Sequence, residues 1–228
     1  MSVAATSDFK LVEFPQRAAY GRIVAKQKVY ENAGVSNRVR QSFVRQVDKV
    51  IWQYKLAPET TNLAATKGVS EIQVFTIELK DKELDENILR AIDKAVKFPI
   101  IFELVCSNET RMVASYKRLS QKSKLDWVVG DYFSSPWIGV NTGRTSMPTA
   151  LNLQSLYEKL LERIIPLGRR SNERLDQLVF RAEAARNLSL EIDKAARNLA
   201  NEKQFNRKVE INAELRKLRD DLDALRQC

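Results

Sequence analysis

The C-terminal quarter of the chain constrains the fold most strongly, because residues 171–227 contain neither glycine nor proline. Apolar residues recur along this segment at intervals of three and four, which is the spacing of an amphipathic helix. Asn201 followed by Gln204 resembles a helix-capping pair and favours a break at that point. We therefore expect two consecutive helices that meet near Asn201, with one continuous helix as the alternative.

The second of these helices carries a short apolar seam. Its members are spaced by four, three, four and three residues: Ile211, Leu215, Leu218, Leu222 and Leu225. This is the pattern of a coiled-coil interface, but two heptads are few for an independent coiled coil. The seam therefore favours an antiparallel helical hairpin within the chain over a short coiled coil between two copies through residues 202–227.

The preceding part of the chain alternates between strand and helix patterns. Residues 69–80 are rich in β-branched and aromatic side chains, and residues 99–106 are almost continuously apolar. A helix capped by Asp85 is predicted between these two strands, and further strands are predicted at 111–117 and 125–133. The pattern predicts an α+β fold, with a small mixed sheet of about four strands and flanking helices, followed by the C-terminal helical hairpin or short coiled coil.

These patterns divide the chain into three predicted regions. Residues 1–35 form an extended basic arm, residues 36–148 an α+β domain, and residues 149–228 a helical region. Within the second region, Ser36 is a good N-cap residue, and apolar side chains follow at helical spacing up to about Lys55. We therefore expect a single amphipathic helix over residues 36–55.

The net charge of +9 is concentrated near the N-terminus, where residues 1–56 hold ten Lys and Arg against four Asp and Glu. Such an excess fits a nucleic acid or an acidic protein as partner, or a basic helix whose charges are only solvated. On the predicted helix Trp52 falls among cations, where it either stacks on a base or is covered by the arm; the covered state is favoured because large aromatics are mostly buried. The candidate binding residues are Arg22, Lys26, Arg38, Arg45, Lys49, Trp52, Arg207, Lys208 and Arg216.

The composition also excludes several kinds of chemistry. The chain has no histidine, which excludes Ser-His-Asp and Cys-His catalysis and His-ligated zinc. Cys106 and Cys228 are too few for a thiolate metal site within one chain, and they fit a reducing compartment. The glycines of residues 139–143 lack the spacing and the following helix of a phosphate-binding loop. No signal peptide or membrane span is evident, so we expect a cytoplasmic protein. Because the phosphate-binding loop and the metal-ligand residues are missing, we expect no cofactor.

One acidic motif supports an alternative, enzymatic interpretation. Glu78 and Lys80 end a predicted strand as a Glu-x-Lys triplet, a pattern of Mg-dependent nucleases in which carboxylates bind the cation. Glu103, in the apolar strand, is the candidate second carboxylate. The non-catalytic interpretation is an ion pair between Glu103 and Lys117 or Lys80, since a buried carboxylate needs a partner.

Several motifs together indicate a family. In chain order they are Phe14-Pro15 with Arg22 and Lys26, IWQYKLAPETTN (51–62), EIQVF (71–75), AIDK (91–94) before PIIF (99–102), LNLQSLY (151–157) and EKQFNRKVEINAELR (202–216). They resemble the bacterial family DUF4391, a domain of unknown function. The resemblance spans nearly the whole chain and assigns no catalytic residue. One departure is Ala25, where the family pattern leads us to expect proline before Lys26.

The resemblance implies a genetic setting near helicases and DNA methyltransferases in anti-phage clusters. Together with the basic N-terminus and the excluded chemistry, it leads us to expect a non-catalytic accessory or adaptor subunit. The expected partner is a helicase or methyltransferase type of protein or DNA, and self-association through residues 202–227 is a further possibility. The Mg-dependent nuclease using Glu78, Lys80 and Glu103 is the alternative.

Overall fold

The computed structural model describes residues 8–120 and 127–227. Predictions that concern residues 1–7, residues 125 and 126, or Cys228 lie outside the described residues. The chain divides into two compact units, Met1–Ile164 and Ile165–Cys228. This division follows α5 (Leu153–Glu162), whereas the sequence predicts a boundary after residue 148.

A mixed sheet forms the centre of the first unit, and within the described residues it contains seven strands. Six follow the order β2-β3-β4-β5-β6-β7, and β8 pairs with β6. The β4–β5 pair is parallel, and the other pairs in this sheet are antiparallel. The strands are β2 (Ala19–Ile23), β3 (Val47–Leu56), β4 (Ile72–Leu79), β5 (Ile100–Cys106), β6 (Glu109–Leu119), β7 (Trp127–Ser134) and β8 (Ile138–Gly139). Two further strands, β1 (Val12–Glu13) and β9 (Thr145–Ser146), pair with each other.

Both faces of the central strands are buried, as expected for a sheet covered on both sides. On one face Phe75 and Phe102 pack with the apolar side chains of three helices. These helices are α1 (Lys26–Ala33), α2 (Asn37–Gln46) and α4 (Glu86–Ala95), of which α4 forms the crossover between the parallel strands. A short helix, α3 (Pro58–Thr61), follows β3. Residues of alternate parity, such as Val74 and Ile101, are buried on the other face.

Helix α5 buries an apolar face and also contacts β6 through one buried hydroxyl group. The pairing of β6 with β7 shifts register between Ser115 and Lys117, which leaves backbone groups without a ladder partner. The Tyr157 hydroxyl accepts from the Lys117 amide at 2.9 Å and donates to the Ser115 carbonyl at 2.6 Å. A single side chain of α5 therefore satisfies both backbone groups at this irregularity.

The single helix predicted over residues 36–55 is wrong in its second half. α2 begins after Ser36, whose hydroxyl accepts from the Val39 amide as predicted, but it ends at Gln46. Residues 47–56 are β3, because their β-branched and aromatic side chains suit a pleated sheet. Register shifts within β3 move its buried residues off strict alternation, so that their spacing imitates that of a helix.

The predicted arm over residues 1–35 contains regular structure where the structure describes it. Residues 19–23 are strand β2 at the sheet edge, and residues 26–33 are α1. The expectation of about four strands was therefore too low, since both β2 and β3 belong to the sheet. The α+β class is confirmed, as are the strands predicted around β4, β5, β6 and β7 and the Asp85 cap of α4.

The second unit is a helical hairpin of α6 (Leu175–Asn201) and α7 (Phe205–Arg226). The break near Asn201 is confirmed, but its cap differs: the Glu202 carboxylate accepts from the Lys203 and Gln204 amides. The helices are antiparallel, since Arg181 near the start of α6 donates to the Leu225 carbonyl at the end of α7. Across residues 8–120 and 127–227, no helix combines the length and the apolar character needed to cross a membrane.

Candidate functional site

Two of the predicted binding residues line one polar cavity on α2. Arg38 and Arg45 surround a space of about 490 Å³ together with Gln41, Ser42 and Asp85. The Ser42 hydroxyl donates to the Asp85 carboxylate at 3.0 Å, which fixes one wall. Both arginines are exposed on the outer face of the helix. Their separation of seven residues, two helical turns, places them on the same side of α2.

Two other predicted binding residues make contacts within the first unit. Arg22 lies on β2, with its guanidinium 4.6 Å from the centre of the Tyr20 ring. Lys26 donates to the Val47 carbonyl at 2.6 Å, and burial together with nearby Lys80 lowers the pKa of its amine. Lys26 therefore stabilises the end of α2, whereas Arg22 is exposed.

Lys49 and Trp52 lie on β3 and not on a helix with Arg38 and Arg45. The Lys49 amine pairs with Glu78 at 3.1 Å, across the antiparallel pairing of β3 with β4. Trp52 contacts Tyr20, at 4.2 Å between ring centres, and Phe75, at 6.2 Å. The N-terminal segment thus covers Trp52 through Tyr20, and the predicted helical face does not exist.

The three residues of the predicted nuclease motif have separate partners. Glu78 pairs with Lys49, and the Lys80 amine donates to the Val44 carbonyl at 2.9 Å. Glu103 forms a two-pronged pair with Arg144, with both N–O distances at 2.8 Å. The ion pair that we expected between Glu103 and Lys117 or Lys80 is therefore wrong.

The register nevertheless places the two carboxylates on one face of the sheet. Glu78 on β4 is opposite Val105 on β5 in the parallel pair. Glu103 lies two residues before Val105 on β5, so it is on the same face of the sheet as Glu78. In the described part of the chain, no cluster of three or more Asp, Glu or Cys side chains is arranged to hold a metal ion. The nuclease assignment stays a prediction.

A buried cationic centre, which the sequence did not reveal, lies between α4 and the sheet. Lys117, 2% exposed, donates to the carbonyls of Asp93 and Val96, both at 2.5 Å. Its amine lies 3.4 Å from the Asp93 carboxylate, which also accepts from the Tyr132 hydroxyl. Burial lowers the pKa of Lys117 and raises that of Asp93, while their mutual attraction opposes both shifts. The centre holds the last turn of α4, so its role is structural.

A second buried ion pair clamps the helical hairpin at the end where α6 begins and α7 ends. Arg181, 5% exposed, binds the Glu173 carboxylate through Nε at 2.7 Å and Nη2 at 2.8 Å. It also donates to the carbonyls of Gly168 and Leu225. The bonds to Arg181 lower the pKa of Glu173 to about 2. Sequence spacing gave no signal of this clamp, because Arg181 falls at a position typical of the apolar stripe.

At its other end the hairpin exposes large apolar side chains. We define the hairpin tip as residues 194–209, where α6 ends and α7 begins. Phe205 is 77% exposed and Val209 53%, and Leu190 lies one turn before the tip at 60%. Over its 22 residues α7 buries Leu215 and Leu222. The other seam residues are partly buried, as a hairpin requires.

The tip is also cationic. It has five basic residues, Lys194, Arg197, Lys203, Arg207 and Lys208, and one acidic residue, Glu202. Arg207 pairs with Glu210 at 2.8 Å, but both side chains are well exposed, so the pair is weak. Arg216, the third predicted binding residue of α7, is exposed farther along the helix. The tip therefore presents apolar and cationic groups together.

Comparison with known proteins identifies a family without assigning a function. The family model described as a domain of unknown function, DUF4391, matches residues 12–222. No curated protein and no solved structure matches the chain.

Proposed function

The chain belongs to the DUF4391 family, and we propose that it is a non-catalytic accessory subunit that binds a larger, nucleic-acid-processing protein through its hairpin tip. The proposal places the protein in the cytoplasm, as an adaptor in an anti-phage defence complex. Its partner is a helicase or methyltransferase type of protein. DNA contact through the basic surface of α2 is a secondary contribution to the same assembly.

The exposure of Phe205 and Val209 is the observation that carries the proposal. Phe205 is 77% exposed and Val209 is 53% exposed. Contact of such large apolar side chains with water is unfavourable unless a partner covers them. Phe205 stands at the first position of α7, and Val209 follows four residues later on the same face. Paired apolar positions of this kind are typical anchors for a helix that binds a groove.

The charge of the tip defines the partner surface. With five basic residues and one acidic residue, it complements an apolar groove with an acidic rim. The clamp of Arg181 and Glu173 keeps the opposite end of the hairpin closed, so the tip is presented by a pre-formed helix pair. Pre-organisation lowers the entropy cost of binding.

A co-elution experiment tests the proposal with the full chain. The protein is mixed with the helicase or methyltransferase encoded beside its gene and analysed by size-exclusion chromatography with light scattering. The double variant Phe205→Ser/Val209→Ser should lose the complex or weaken it at least tenfold, because both anchors are removed. Since both side chains are exposed, the variant should fold normally.

Val44→Ser is the matched control, because Val44 is 63% exposed on α2, outside the tip. It should leave the complex unchanged. Co-elution of the double variant at the level of the unchanged chain would refute the tip as the binding surface. A chain that associates with itself and never with the partner would instead support the coiled-coil alternative through residues 202–227.

A further inference from the structure

A cleft in the first unit combines an aromatic lining with a cationic rim. It lies over the sheet between α1 and α4 and has a volume of about 410 Å³. Trp52, Phe75 and Phe98 line it, together with Lys28 and Lys97. Lys28 lies on α1, and Lys97 follows the end of α4. The volume lies within the range of small-molecule sites in proteins.

The charge of the cleft has one sign. No Asp or Glu is among its lining residues, and neither lysine forms an ion pair within the described parts of the chain. Other lysines of this region differ: Lys49 and Lys55 each pair with a glutamate. The rim of the cleft is therefore complementary to an anion.

The lining selects the shape of the ligand. The partly buried ring of Trp52, which lies parallel to the buried Phe75 ring within 6°, provides flat apolar surface against which a planar group packs well. The amide of Asn32 adds a donor and an acceptor at the wall. From these features we infer that the cleft binds a planar aromatic anion of the nucleoside monophosphate class, with its base against the Trp52 ring and its phosphate between Lys28 and Lys97.

This inference is independent of the hairpin tip and does not require a macromolecular partner. It assigns binding and no reaction, because the cleft residues include no acid or nucleophile suited to catalysis. Trp52 supplies an intrinsic signal, since a ligand packed against its ring changes its fluorescence.

The test uses the full chain and the fluorescent probe anilinonaphthalene sulfonate, an aromatic anion, with adenosine monophosphate as competitor. The probe should bind saturably, and adenosine monophosphate should displace the probe bound in the cleft. Lys28→Gln and Lys97→Gln should each weaken binding of adenosine monophosphate about tenfold, the loss of one charge-assisted contact. Both side chains are exposed, so neither variant should unfold the protein.

Lys94→Gln is the matched control, because Lys94 is exposed on α4 but is not among the lining residues. It should bind as the unchanged chain does. Equal affinities in all three variants would overturn the proposal, and so would the absence of saturable binding. Displacement of the probe by octanoate but not by adenosine monophosphate would overturn the assignment to a planar aromatic ligand.

Discussion

Lys117 is a cation removed from water and surrounded by acceptors on α4. Replacing it with methionine keeps most of the volume but removes the bonds that the Lys117 amine donates to the Asp93 and Val96 carbonyls. The Asp93 carboxylate would then be buried without a cationic partner at that position. We expect Lys117→Met to reduce the free energy of unfolding by about 3–5 kcal/mol, measured by urea denaturation.

Lys94→Met provides the comparison for this prediction, since Lys94 is exposed on the same helix. It should change stability by less than about 0.5 kcal/mol. If Lys117→Met reduced the free energy of unfolding by no more than Lys94→Met does, the buried contacts of Lys117 would contribute little to stability.

At this scale the sequence indicates that a charge is buried but not which residue is its partner. Glu103 within an apolar strand correctly predicts a buried carboxylate with a partner. The partner is Arg144, 41 residues away in the loop before β9, and nothing in the spacing selects it over Lys80 or Lys117. Such pairing depends on how loops return to the sheet, which a linear pattern does not encode.

The helical hairpin provides a pH dependence at the scale of elements. Arg181 lowers the pKa of Glu173 to about 2, from an ordinary value near 4.5. A carboxyl group with a lowered pKa stabilises the fold above its unfolded pKa and loses this effect as pH falls towards its folded pKa. We therefore expect Glu173→Gln to lower the melting temperature at pH 7, with the difference shrinking between pH 4.5 and pH 2.

Melting followed by helical circular dichroism checks this prediction. Glu191→Gln is the control, because Glu191 is exposed on α6 of the same hairpin and its substitution should leave melting unchanged at both pH values. A difference between wild type and Glu173→Gln that is as large at pH 2 as at pH 7 would show that the clamp does not titrate there.

A segment whose sequence fits only a helix or only a strand is predictable from that sequence. A segment whose sequence fits both is not. Strand β5 and both hairpin helices are evident because long apolar runs or uninterrupted helical spacing fit one state. β3 satisfies helical spacing locally, and its pairing with β2 and β4 decides in favour of a strand. That decision rests on tertiary contacts together with the β-branched and aromatic composition, which suits a strand.

The net charge of +9 is a property of the whole molecule, but internal contacts reduce the basic surface that is available. Lys49 and Lys55 pair with glutamates, and Lys26 is bound to a carbonyl. Arg38 and Arg45 remain exposed around one cavity. Any polyanion should therefore contact α2 more than the charge distribution along the sequence suggests.

We expect weak DNA binding that declines with salt, because it rests on phosphate contacts. The double variant Arg38→Gln/Arg45→Gln should weaken binding and reduce the slope of log affinity against log salt by about 1 to 2. Fluorescence anisotropy with a labelled single strand and a labelled duplex measures both. Lys67→Gln/Lys94→Gln removes the same charge from exposed sites elsewhere. Equal losses in both double variants would indicate non-specific attraction without a defined surface.

The clamp and the tip lie at opposite ends of α6, which is 27 residues long. Substitutions at Phe205 or Val209 therefore leave the bonds of Arg181 untouched. Under the proposed function, changes at Phe205 or Val209 should therefore alter partner affinity without a folding penalty.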